Sequence, residues 1–163
     1  MKKILSLFLF AASALSLASC GGLEDEFLDN SFVYIADGTG QSSAVIKDQG
    51  VNPSVSTTLW VTLSMAKKDL DATIEVYYEA IPDGIIEGVD YTIKTESVSP
   101  LKFVPGNEGV PLRITWIHNT GNEGTLTFKL TGSNLSYLRM GDPKMSASNN
   151  KSTFVFTKQA SGN

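Results

Sequence analysis

The sequence predicts an all-β protein, because from Phe27 onward it alternates apolar and polar residues with period two, favours β-branched and aromatic side chains, and places turn residues at short intervals. No stretch holds apolar residues at helical spacing for the length of a helix. About 130 residues suffice for one packed core and are too few for two. Eight or nine short strands with turns about 8 to 12 residues apart point to an immunoglobulin-like antiparallel β-sandwich over 31–160, with a small barrel as the alternative. The order of elements begins before the strands.

Met1-Lys2-Lys3 followed by "ILSLFLFAASALSLAS" has a short cationic region, an apolar stretch and then small residues, the order of a secretory signal over 1–19. It is too short and too rich in serine for a membrane-spanning helix, which needs roughly 20 apolar residues. Leu17-Ala18-Ser19-Cys20 resembles the lipobox of bacterial lipoproteins at all four positions. That resemblance implies that Cys20 accepts a diacylglyceryl group through its nucleophilic sulfur and becomes the first residue after cleavage. One acyl chain gives marginal membrane binding and two or three hold firmly, so the chain is expected to be lipid-anchored. The alternative is an ordinary signal cleaved elsewhere, with Cys20 a free thiol or lost.

Removing 1–19 takes away two of the 13 basic residues, leaving 11 against 17 acids, a net charge of −6. Such a chain is repelled by phosphate, which argues against nucleic acid as a partner. Cys20 is the only cysteine, so no disulfide is available and packing must hold the fold. Gly21-Gly22-Leu23-Glu24-Asp25-Glu26 reads as a flexible, acidic tether within 20–30. It resembles the acidic cluster that directs Bacteroidota lipoproteins to the outer face of the outer membrane. The alternative is a solvated linker on a protein facing the periplasm.

Short strands are expected at "FVYIA" and "SAVIK". In "TTLWVTLSM", Leu59, Val61, Leu63 and Met65 share the core face and Trp60, Thr62 and Ser64 the other. "ATIEVYYEA" turns Ile74, Val76, Tyr78 and Ala80 inward and Glu75, Tyr77 and Glu79 outward. "DYTIK" and "LKFV" are short strands; "VPLRITWIH" points Val110, Leu112, Ile114 and Trp116 inward; "TLTFKL" does so with Leu126, Phe128 and Leu130; "STFVF" closes the set. Gly106-Asn107-Glu108-Gly109 and Gly121-Asn122-Glu123-Gly124 bracket the strand at 110–118. Glycine and asparagine tolerate positive φ, so both are expected to be turns that deliver antiparallel neighbours.

"GVDYTI" followed by "LKFVPGNEGVPLRI" is similar to the Calx-beta type of immunoglobulin-like domain. Over the whole chain, the order of lipobox, acidic tether, "FVYIA", "VTLSM", "EGVDYTI" and "NNKSTFVF" resembles the immunoglobulin-like domain that opens many lipoproteins of Bacteroidota glycan-utilisation loci. In that family the domain often precedes a carbohydrate-binding or glycosidase module. The resemblance implies a non-enzymatic role at the outer membrane, in glycan capture or beside a glycan-uptake complex of neighbouring outer-membrane proteins. An adhesin, protein-interaction or spacer role on the same sandwich is the alternative.

Local signatures of an enzyme are missing: there is no G-x-S-x-G elbow, H-E-x-x-H pair or phosphate loop. The one histidine, His118, ends a strand on the face of Trp116 and reads as a structural residue. Asp69, Asp71, Asp83, Glu87 and Asp90 sit in predicted turns, where acids are expected for solvation. No cofactor is expected. The Calx-beta resemblance implies calcium held by loop acids, and Asp83, Glu87 and Asp90 would supply a weak site here.

Saccharide recognition needs aromatic faces beside planar polar groups. Trp60 points outward, and Tyr77 points outward on the strand expected next, so the two are expected to share a face unless another segment packs over them. Tyr137 and Arg139 complete the candidate ligand set; they lie in a long stretch at 134–150 without clear alternation, read as a loop or as an irregular strand followed by a Gly-Asp-Pro turn.

Overall fold

The computed structural model describes residues 31–48, 53–65 and 71–160. The signal, the lipobox with Cys20, the acidic tether and Asp69 lie outside the described residues. Among the described residues there are ten strands: β1 (Phe32–Ala36), β2 (Ser43–Lys47), β3 (Ser54–Ser64), β4 (Ile74–Asp83), β5 (Tyr91–Ile93), β6 (Leu101–Phe103), β7 (Gly109–Ile117), β8 (Gly124–Ser133), β9 (Arg139–Met140) and β10 (Thr153–Gln159). They form two five-stranded sheets of order β5-β7-β3-β1-β9 and β2-β10-β8-β4-β6, an immunoglobulin-like sandwich. No helix among the described residues is long and apolar enough to cross a membrane.

Odd-numbered strands build one sheet and even-numbered strands the other, so each described strand is followed in sequence by one from the opposite sheet. This corrects the expectation for the repeated Gly-Asn-Glu-Gly turns. The first carries the chain from β6 to β7 and the second from β7 to β8, and both change sheets instead of joining antiparallel neighbours. Their glycines do serve as turn residues, with φ of 81° at Gly106 and 74° at Gly121. Turn chemistry reverses the chain; which sheet receives the next strand is decided by the faces to be buried.

The alternation expected along the strands is observed. Leu59, Val61 and Leu63 of β3, Ile74 and Val76 of β4, Leu112, Ile114 and Trp116 of β7, and Leu126, Phe128 and Leu130 of β8 all reach the core. Trp116 is its largest member, with ring centroids of Phe156 and Tyr91 at 5.1 and 5.9 Å. Its indole N–H donates to Thr57 Oγ1 at 2.9 Å, so the one polar atom of a buried aromatic is satisfied across the β3–β7 pair. Tyr78 follows the same rule, donating its hydroxyl to Ser97 O at 2.6 Å. Burial pushes that phenol up to about 12, with the charge of Glu87 adding to the shift.

The stretch at 134–150 contains β9, which pairs parallel to β1 and buries Leu138, while Gly141 follows at φ 91°. The irregular-strand reading was therefore the better of the two.

Candidate functional site

Two features stand apart from ordinary sandwich packing: an aromatic outer face and a buried polar cluster at the other end of β7.

The outer face belongs to the β5-β7-β3-β1-β9 sheet. Trp60 lies opposite Pro111 on β7 and Ala36 on β1, Thr62 lies opposite Tyr34, and Ser64 lies opposite Phe32. Residues directly opposite in an antiparallel pair share a face, so Trp60, Tyr34 and Phe32 stand on one surface. Trp60 is 44% exposed, and an added Cβ at Gly109 would meet its indole edge at 3.6 Å, which shows the ring leaning over the glycine. Tyr34 and Phe32 are half-buried with centroids 6.1 Å apart, and Lys151 Nζ stands 5.6 Å from the Tyr34 ring centre. Arg139, paired with Phe32, is exposed while its neighbour Met140 packs toward the core. Arg139 therefore shares the surface with Trp60. Tyr137 is exposed in the turn leading into β9.

Tyr77 does not join this face. It lies on β4 in the second sheet, so its outward direction is opposite to that of Trp60. Its hydroxyl donates to Glu75 Oε2 at 3.2 Å, and Glu75 pairs with Lys102 at 3.3 Å. The expectation of a shared face fails because β3 and β4 belong to different sheets. Phe32, Tyr34 and Lys151 are the members that sequence reasoning missed; the outward phase of "FVYIA" was the available signal.

The polar cluster gathers Asp48 at the end of β2, Asp90 before β5, His118, Thr120 and Asn122 after β7, and Lys158 on β10. Lys158 is 1% exposed and Asp90 0% exposed. Lys158 Nζ lies 3.1 Å from Asp90 Oδ1, 3.7 Å from Asp48 Oδ2 and 2.5 Å from Thr120 Oγ1. Asp90 also accepts from Thr120 Oγ1, from Asn122 Nδ2 and from the backbone N–H of Ile86. Asp48 Oδ1 meets His118 Nδ1 at 3.0 Å and accepts from the backbone N–H of Asn119 at 2.6 Å. Burial opposes the charge on Asp90, yet the donors Thr120, Ile86, Asn122 and Lys158 hold its carboxyl down to about 2.

The three acids of the metal set are not brought together. Asp83 and Glu87 are exposed, whereas Asp90 is inside and engaged with Lys158, Thr120 and Asn122. Among the described residues, no group of three or more His, Cys, Asp or Glu is placed to hold a metal. His118 is a buried structural residue bonded to Asp48. Lys158 was missed, although it continues the inward phase of Phe154 and Phe156 and so was readable as a buried lysine.

No protein-family model and no curated protein matches the sequence. Among solved structures, CBD12 from CALX1.2 superposes with a TM-score of 0.50 at 11% identity, covering 77% of this chain and 43% of that one. A proposed carbohydrate-binding protein from Bacteroides ovatus gives 0.49 at 11% identity over 80% of this chain and 37% of that one. A mutant of the SrpA adhesin from Streptococcus sanguinis gives 0.42 at 12% identity over 80% and 58%. The chain thus spans less than two thirds of the length of each. The likeness to CALX1.2 is one of fold.

Proposed function

We propose that this chain is a non-enzymatic lipoprotein of the outer membrane, facing outside, whose sandwich captures glycan chains on the outer face of the β5-β7-β3-β1-β9 sheet. The observation that carries this reading is the exposed Trp60, leaning over Gly109 on the surface that also bears Tyr34, Phe32 and Arg139. An indole in solvent offers a flat apolar plane to the apolar face of a pyranose, and the guanidinium of Arg139 offers paired donors to hydroxyl or carboxylate oxygens. The lipobox at Leu17–Cys20 and the acidic tether support attachment at the cell surface. The resemblance to the opening domain of Bacteroidota glycan-utilisation lipoproteins supports the same setting, and a supporting role beside a glycan-uptake complex belongs to it.

The test is affinity electrophoresis of the full chain, purified in detergent, through gels containing plant or host polysaccharides. Retardation by at least one polysaccharide, lost in Trp60→Ala and kept in Tyr77→Ala, is expected, since only the first residue lies on the proposed face. Equal migration in every gel would overturn glycan capture. The second reading, a protein-interaction module, is favoured by the exposed apolar residues Ile81, Ile86 and Val89 around the β4–β5 connection.

A further inference from the structure

We propose that Lys158 and Asn122 become joined by an intramolecular amide bond between Nζ and Cγ, formed with Asp90 as the carboxylate that carries the proton. The site is the buried polar cluster, which glycan capture does not use.

A lysine buried to 1% exposure bears a desolvation penalty that ion pairing offsets only where geometry is favourable. Here the geometry does more than pair charges. Lys158 Nζ donates to Asp90 Oδ1 at 3.1 Å, and Asn122 Nδ2 donates to the same oxygen at 3.2 Å and to Oδ2 at 3.0 Å. Lys158 Nζ also lies 3.4 Å from the backbone O of Asn122. The incoming and the outgoing nitrogen of an amide exchange are thus gathered around one carboxylate, with the lysine against the residue it would attack. The last torsion of an asparagine side chain is broad, so turning the amide about Cβ–Cγ presents the face of its carbonyl carbon to the amine.

The chemistry balances without an outside reagent. Asp90 takes a proton from the Lys158 ammonium, and the freed amine attacks Cγ of Asn122. The tetrahedral centre passes a second proton from Nζ to the departing nitrogen, while Asp90 returns the first. The Cγ–Nδ2 bond breaks, the Cγ–Nζ bond remains, and ammonium leaves carrying the positive charge that Lys158 brought. Asp90 ends as a carboxylate facing the new amide N–H. Thr120 Oγ1, in contact with both Nζ and Asp90, holds the attacking amine in place.

The bond would tie the last strand, β10, to the connection that follows β7, at the end of the sandwich where β5 begins. It would give covalent bracing to a chain whose single cysteine is expected to carry the lipid. It would also remove the buried positive charge of the lysine.

The test is peptide mass spectrometry on the folded full chain, denatured and then digested with trypsin. Without the bond, cleavage after Arg113, Lys129, Lys151 and Lys158 releases 114–129 and 152–158 as linear peptides. With it, Lys158 resists cleavage, and 114–129 appears joined to a peptide that starts at Ser152 and runs past Lys158, lighter than the sum by one ammonia. Near-complete conversion to the branched species is expected in the unaltered protein. Complete loss is expected in Lys158→Arg, which keeps the charge, and in Asp90→Asn, each checked for folding by circular dichroism. Linear peptides from the folded, unaltered chain would overturn the proposal. So would a branched species lacking water instead of ammonia, which would place the bond on a side-chain carboxylate, or a branched species persisting in Asn122→Ser.

Discussion

Lys158 Nζ stands 3.1 Å from Asp90 Oδ1 with both side chains fully enclosed, so one strand of the second sheet and the approach to one strand of the first are tied through an interior charge pair. Asp48 completes the arrangement from the end of β2, 3.7 Å from the same amine. Replacing the lysine by an apolar residue of similar length would leave the enclosed Asp90 carboxylate without this cation. In the Asn122→Ser background, where the proposed amide cannot form and Lys158 keeps its charge, Lys158→Met is expected to lower stability by about 3–5 kcal/mol, the range for removing one partner of a buried pair. Urea unfolding followed by tryptophan fluorescence measures it. A loss below about 1 kcal/mol, the worth of a surface pair, would show that the cluster is open to water.

Acid should act on the same residue. The folded value of Asp90, about 2, lies below the ordinary 3.8, so the unfolded chain takes up the proton first as pH falls. The contribution of Asp90 is complete above the ordinary value and is lost between there and about 2. Urea midpoints measured from pH 6 to pH 2 should fall most steeply below pH 4, and Asp90→Asn should flatten that limb while lowering stability at neutral pH. An unchanged limb in the variant would mean that other carboxylates govern the acid response.

The face proposed for glycan has a length that sets a further expectation. Arg139 is two strands from Trp60 across the sheet and four residues away along it, which is roughly 16 Å at ordinary strand spacing and rise. A single pyranose spans much less. Affinity should rise from mono- to oligosaccharides long enough to cover both residues, and Arg139→Ala should weaken the longer ligands while leaving the shortest unchanged. Isothermal titration with a ladder of oligosaccharides reads both effects. Equal affinity along the ladder would confine binding to the indole alone.

The strands and their inward residues were legible because period two reports which side of a strand is buried, as in Leu59, Val61 and Leu63. Trp60 was correctly turned outward for the same reason. Period two does not report which sheet a strand joins, and so the face expected to be shared by Tyr77 and Trp60 is not shared. The Gly-Asn-Glu-Gly turns misled similarly, since their φ preferences are met equally well by a hairpin and by a crossing between sheets. Asp90 looked like a solvated turn acid because its partners Thr120, Asn122 and Lys158 come from distant parts of the chain. Lys158 carries a readable signal in its phase with Phe154 and Phe156, against the usual exposure of lysine.

The crossing from β7 into β8 depends on a backbone contact that can be tested by one methyl group. A Cβ added at Gly124 would overlap Asp83 O and lie 2.9 Å from the carbonyl carbon of Gly84, where β4 ends beside the start of β8. These are backbone atoms, which cannot rotate away as a side chain would, so Gly124→Ala must push the two strand ends apart. Overpacking of this kind typically costs about 1–3 kcal/mol. Gly38→Ala is the control, since an added Cβ there meets nothing within 4 Å and its φ is not in the left-handed region. Thermal unfolding should separate the two variants, with Gly124→Ala melting several degrees lower and Gly38→Ala close to the parent. Similar melting of both would mean that the β4 and β8 ends yield to the methyl group without resistance.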